Sequence, residues 1–145
     1  MQSFPHRYKI VAAAGPDGDV SLASDGLDPI SSAPPVEFGG SGNRWSPETL
    51  LVAAVGDCFV LSFRAIARAS ELSWMSLKCE VEGVLDREEG TTRFTEFAVH
   101  AELHIPRDTN EERAHRIMQK AEDSCLITNS LSAKTHLKAL VLTTP

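Results

Sequence analysis

A chain of 145 residues, 42% of them hydrophobic, can bury one core but is too short for two domains of ordinary size. Its formal charge of −6 and lack of a basic cluster exclude nucleic acid and anionic membrane surfaces as partners, because both select for positive charge. The start MQSFPHRYKI lacks the apolar centre of a signal peptide, and no run approaches the ~18 apolar residues of a membrane span, so a cytoplasmic protein is expected.

The predicted elements open with a hairpin. Residues 7–14 read as a strand, Gly15-Pro16-Asp17-Gly18 as a tight turn and 19–24 as the return, because Gly and Asp tolerate turn conformations that other residues resist. Asp28 to Gly42 is rich in Pro, Ser and Gly and reads as a loop holding one short strand at Val36–Phe38.

Residues 46–70, SPETLLVAAVGDCFVLSFRAIARAS, form the predicted central helix. Ser46 suits the cap, Pro47 the first turn, where its missing N–H is no loss, and Glu48 the positive end of the dipole. From Leu50 to Leu61 only Gly56, Asp57 and Cys58 interrupt the apolar residues, too many hydrophobic faces for a helix lying on a surface. A second subunit is therefore expected to supply part of its cover.

Residues 74–106 read as a long antiparallel hairpin. Leu77, Cys79, Val81 and Leu85 share one parity, as do Phe97, Val99, Ala101, Leu103 and Ile105, with charged residues opposite and the turn at Arg87-Glu88-Glu89-Gly90. Thr109 to Glu112 carries the reciprocal capping pattern, and Ala114, Ile117, Met118, Ala121 and Cys125 recur at helical spacing, predicting a second helix over 109–125. Residues 133–143 alternate and close the chain as a strand. The fold class is α+β, with antiparallel strands packed around a long central helix and a second helix, in one domain spanning 1–145 (1–45 being the N-terminal hairpin and loop).

Few residues suggest chemistry. Three cysteines, at 58, 79 and 125, fit neither a secreted disulfide framework nor a zinc ribbon, so any disulfide would be a redox event. Cys58 and Cys79 read on their own as buried core positions. Cys125, at a helix C-terminus where the dipole disfavours a thiolate, fits a thiol that reacts second rather than a nucleophile. His100 and His104 lie about 13 Å apart on a strand and cannot share an ion. Nucleotide, zinc-protease and serine-hydrolase motifs are missing. Glu48 is either a dipole-matching residue or an acceptor at a site; it precedes Cys58 by about 15 Å of helix, so any thiol it serves belongs to another subunit.

The stretch SPETLLVAAVGDCF resembles the Asn-Pro-Glu helix running into a cysteine followed by Phe of the OsmC/Ohr proteins (osmotically inducible protein C and organic hydroperoxide resistance protein), and DSCLITNSL is similar to their second-cysteine segment. The likeness extends from the N-terminal hairpin to the last strand. It implies an intertwined homodimer with two interfacial sites and a thiol peroxidase needing no metal or organic cofactor. Cys58 would attack the O–O bond of an organic hydroperoxide, Cys125 would condense with the resulting sulfenic acid, and a dithiol reductant would reopen the disulfide. The apolar residues Val55, Phe59 and Phe63 would suit a greasy peroxide tail or plain core packing. Where the family has an arginine in the first hairpin turn this chain has Pro16; Arg44 is the expected replacement, carried with Glu48 to the partner's Cys58, and Arg7 comes second. Leu126 and Ile127 stand where well-known members have proline after the second cysteine. Two alternatives share the scaffold: a non-catalytic dimer holding a small apolar ligand, and a redox sensor whose disulfide alters a partner contact.

Overall fold

The structure, a computed structural model, describes residues 1–144. The chain divides into two compact units, Met1–Leu51 and a second from Val52 onward.

The first unit holds a three-stranded antiparallel sheet in the order β1 (Val11–Ala13), β2 (Val20–Ala23), β3 (Ile30–Ser32). The expected hairpin is β1–β2, and Gly18 in its turn adopts φ +89°. The strand expected at Val36–Phe38 is instead a single 3-10 turn, and the third strand lies earlier, at Ile30–Ser32. Two prolines explain the change. Pro34 and Pro35 cannot donate to a ladder, while the Pro35 carbonyl accepts the Phe38 N–H at 2.9 Å and closes the turn.

The helix α1 (Pro47–Ala69) begins as expected. Ser46 Oγ accepts the Thr49 N–H at 3.1 Å, and Thr49 Oγ1 accepts the Ser46 N–H at 2.9 Å. This is a reciprocal capping box with threonine in the usual place of glutamate.

In the second unit, β4 (Ser76–Glu88), β5 (Thr91–Ile105) and β6 (Lys134–Thr143) form a sheet in that order, and α2 (Glu111–Asp123) links the last two. β4 and β5 are the predicted hairpin, turned at Glu89 and Gly90, both with positive φ, as a tight two-residue turn requires. β6, however, runs parallel to β5 from Glu96↔Lys134 to Ile105↔Thr143, which corrects the expectation of wholly antiparallel strands. The physical reason is α2: a helical crossover returns the chain to its starting end, so the next strand points the same way.

The odd-numbered face of this sheet is the core. Phe97, Val99, Leu103 and Ile105 are fully buried on it, as are Val55, Phe59, Phe63 and Ala67 of α1, spaced one helical turn apart, and Ala114, Met118 and Ala121 of α2. Leu85 departs from the expected pattern and is exposed, because the pairing slips between Val84 and Leu85 and leaves Thr95 without a partner. The slip brings Phe94 onto the same side as Phe97, and their rings stack at 5.2 Å. The α2 cap is Asn110, whose side chain accepts the Arg113 N–H at 2.8 Å, rather than Thr109, whose own N–H is taken by the Pro106 carbonyl.

Contrary to the sequence expectation, Pro47–Ala69 is long and apolar enough to cross a membrane, and only 22% of its most apolar window is buried. Gly56 and Asp57 are minor interruptions in a hydropathy average, so the helix qualifies as a whole although it contains no unbroken apolar run of that length. Its buried stripe lies on the sheet, the behaviour of a core helix.

Two glycines let α1 approach β4. A Cβ on Gly83 would come within 2.9 Å of both Phe97 Cε1 and Val52 Cγ2, and one on Gly56 within 3.1 Å of Val81 Cγ2. Replacing Gly83 by alanine should therefore destabilise the protein by about 1–3 kcal/mol, the usual cost of overpacking, read as a lower urea midpoint at unchanged slope.

Candidate active site

Cys58 sits on α1 immediately before Phe59 of the buried stripe and so lies at the edge of the packed face, half-buried. Its Sγ is 3.9 Å from Ser62 Oγ, one turn along the helix. Cys125 faces it and is fully buried. Burial is the largest influence on the Cys125 thiol and pushes its pKa up; a hydrogen bond and charge interaction with Cys58 act in the same direction, while hydrogen bonds from the Thr128 hydroxyl and backbone oppose them. The two thiols are therefore neighbours, and Cys125 keeps its proton on the dry side of the pair.

The surroundings of Cys125 differ from the expected helix end. α2 stops at Asp123 and Ser124 caps it, so Cys125 lies beyond the helix. Its carbonyl accepts the Asn129 N–H at 3.0 Å and the Thr128 hydroxyl at 3.2 Å, so Cys125 opens the next turn, Thr128–Ser130. Leu126 and Ile127 lie between Cys125 and this turn, and the Ile127 carbonyl accepts the Ser130 N–H at 3.0 Å.

Sequence reasoning missed the neighbourhood on the far side of Cys125. Across the sheet Cys79 pairs with Ala101 and Ala101 with Ala139, a row of small side chains between the larger rows Val81, Val99, Leu137 and Leu77, Leu103, Val141. Cys79 feels burial first, then the charges of Glu122 and Cys125, and its pKa is pushed up to about 11, so it is a neutral thiol under Cys125. Glu122, on the last turn of α2, is also shifted up, to about 7, by burial and then by Asp123. Its Oε2 is shielded from solvent and has no hydrogen-bond partner. The only signal in the sequence was the oddity of a carboxylate on the side of α2 that carries Met118 and Cys125.

Around α1 the other way, roughly 160° from Cys58, Val52, Gly56, Val60 and Cys79 line an open cavity of about 360 Å³. Val55, Phe59 and Phe63 have no exposed surface and are core, not the wall of a substrate channel.

Glu48 and Arg44 lie in the first unit. Glu48 has a carboxylate oxygen that is shielded and unpartnered among the described residues. Arg44 donates from Nε to Asp19 Oδ2 at 2.8 Å, both side chains nearly half exposed. Arg44 also lines an open hollow of about 670 Å³ with Ile30, Asn43 and Trp45. Arg44 and Glu48 are thus not paired with each other. His100 and His104 lie on the polar face of the sheet, where His104 Nε2 meets Glu102 at 3.0 Å, and among the described residues no three His, Cys, Asp or Glu side chains converge as a metal would require.

A family model described as OsmC-like protein matches residues 40–139. The uncharacterized YmaD protein of Bacillus subtilis is 24% identical over 136 residues, covering 92% of this chain and 91% of its own. Among solved structures, an OsmC-like protein of unknown function from Vibrio cholerae superposes with a TM-score of 0.86 at 16% identity, over 94% of this chain and all of its own. An organic hydroperoxide resistance protein from Legionella pneumophila gives 0.72 at 26% identity, over 94% and 98%.

Glu122 makes stability depend on pH. With its pKa at about 7 in the folded protein against an ordinary 4.5, the native state holds this proton more tightly than the unfolded chain, so stability from this group is present at low pH and is lost as pH rises from about 4.5 to about 7. In urea titrations the Glu122→Gln variant should lack this loss: its advantage over the wild type should grow across that window and stay level above it.

Proposed function

The chain belongs to the OsmC-like protein family, and on that premise we propose that it is a thiol-dependent peroxidase reducing organic hydroperoxides. The observation that carries the proposal is the nearness of a half-buried Cys58 to a fully buried Cys125 on whose thiol it acts. In the first step the Cys58 thiolate attacks the outer peroxide oxygen, the O–O bond breaks, and the alkoxide leaves as the alcohol after taking a proton. Cys58 is left as a sulfenic acid. In the second step Cys125 attacks that sulfur, an S–S bond replaces the S–O bond, and water leaves. A dithiol reductant then restores both thiols by exchange. None of these steps calls for a metal or an organic cofactor. Ser62 Oγ lies 3.9 Å from Cys58 Sγ and can share a hydrogen bond with it.

The working unit is taken to be a homodimer of a single domain spanning 1–145, in a reducing, cytoplasmic setting. Support for the dimer comes from α1, which is buried only along Val55, Phe59, Phe63 and Ala67 and leaves Leu61 half exposed. Glu48 has a free carboxylate oxygen for a guanidinium, and Arg44 is the assigned cation at the partner's Cys58.

Steady consumption of cumene hydroperoxide with dithiothreitol should disappear in Cys58→Ser. In Cys125→Ser one equivalent of peroxide should still be reduced, leaving a sulfenate at Cys58 and no intramolecular bridge by mass spectrometry. Stoichiometric oxidation of the wild type without turnover would make the protein a redox sensor instead. For the cation, the Cys58 thiolate absorbance should titrate at higher pH in Arg44→Ala; an unchanged titration would remove Arg44 from the mechanism.

A further inference from the structure

From Phe59 to Phe63 the central helix reads Phe-Val-Leu-Ser-Phe, so Ser62 is a polar side chain in an apolar stretch where alanine would be the better helix former. A serine in such a place commonly returns its hydroxyl to the carbonyl four residues back. Two serines of this chain make that bond: Ser124 Oγ donates to the Lys120 carbonyl at 2.8 Å, and Ser130 Oγ to the Leu126 carbonyl at 2.7 Å. Ser62 stands at the same spacing from Cys58, yet its hydroxyl meets the side chain, at 3.9 Å from Sγ, and has no other hydrogen-bond partner among the described residues. Both side chains are half-buried, which limits the water that competes for this contact.

We propose that Ser62 is a catalytic residue whose hydroxyl donates a hydrogen bond to the Cys58 sulfur whenever that sulfur is charged. This rests on the peroxidase reading for its reaction. With both groups neutral either atom can donate, but a thiolate has no proton, so once Cys58 ionises the bond runs from Ser62 to sulfur. The Ser62 proton stays on Ser62 throughout. In the peroxide step the Cys58 sulfur gives an electron pair to the outer peroxide oxygen, the S–O bond forms, the O–O bond breaks, and the alkoxide takes its proton from water. Cys58 is oxidised to the sulfenic acid and the peroxide is reduced. When a dithiol later opens the bridge at Cys58, its second sulfur displaces Cys58 from the mixed disulfide, the dithiol leaves as a cyclic disulfide, and Cys58 departs as a thiolate onto the same hydroxyl. The titratable groups beside Cys58 in its own chain are Asp57, exposed on α1, and Cys125. Ionised Asp57 can only accept, and Cys125 offers a weak S–H donor that it loses on attacking the sulfenic acid. Arg44, the assigned cation, comes from the other copy; Ser62 is built into the same helix as the sulfur it serves.

A donor held on the thiolate makes more of it and makes each one less reactive, and this gives the test its signature. Losing one such bond should move ionisation up by about one pH unit, and with a Brønsted slope of about 0.5 each thiolate then reacts about threefold faster. The measurement is stopped-flow reaction with 4,4′-dithiodipyridine from about pH 5 to 9 in a Cys125→Ser background, where Cys58 reports because Cys79, pushed to about 11, keeps its proton. Ser62→Ala, which suits the helix and should keep the fold, should react about threefold more slowly than its parent below the midpoint and about threefold faster above it. Ser62→Thr retains the hydroxyl and should follow the parent. A second arm replaces the disulfide probe by an alkyl hydroperoxide and should show the same crossing of the two profiles in sulfenate formation. Profiles of Ser62→Ala and parent that superpose in the disulfide arm would overturn the inference, and so would a uniform loss at every pH, which is the mark of a merely structural role. Absence of any peroxide reaction in the parent, with the crossing present in the disulfide arm, would overturn the peroxidase reading and leave the hydrogen bond standing.

Discussion

The second unit depends on how closely α1 can lie on β4 and β5. Gly56 and Gly83 remove the side chains that would hold helix and sheet apart, and the stripe Val55, Phe59, Phe63, Ala67 fills the seam they leave. Four buried positions spaced by one turn make a narrow contact for a helix this apolar. That narrowness places Cys58. One position further into the stripe it would be inert core, and one position further out it would face water. At the edge it is partly covered, hydrogen-bonded to Ser62, and able to meet a second thiol.

The chemistry of the thiol pair follows from dryness more than from nearby charge. Burial raises the Cys125 and Cys79 thiols, so both keep their protons at neutrality, and it raises the Glu122 carboxyl until that group is half ionised at about pH 7. The two thiols can lend a hydrogen bond to a charged sulfur without adding a competing anion.

Much of this was legible in the chain. Period-two alternation gave away β4 and β5 because one face is wet and the other dry, and Ser46-Pro47 marked the start of α1 because caps are local chemistry. Two short motifs singled out Cys58 and Cys125 through their resemblance to a family pattern. What stayed hidden depends on contacts between residues distant in sequence. The direction of β6 is set by the crossover, the exposure of Leu85 by a slip at Thr95, and the significance of Glu122 by the small row Cys79, Ala101, Ala139 beneath it. Val36–Phe38 looked extended because its residue types favour strands, but the two prolines before it had already fixed the path of the backbone.

The turn that carries Cys125 is tied down by bonds of short reach: Asn129 to Cys125, Ser130 to Ile127, Leu131 to Thr128. None of these is a rung of the sheet. A displacement of that turn can therefore be absorbed by the few residues between α2 and β6 while every rung of the ladder stays in place.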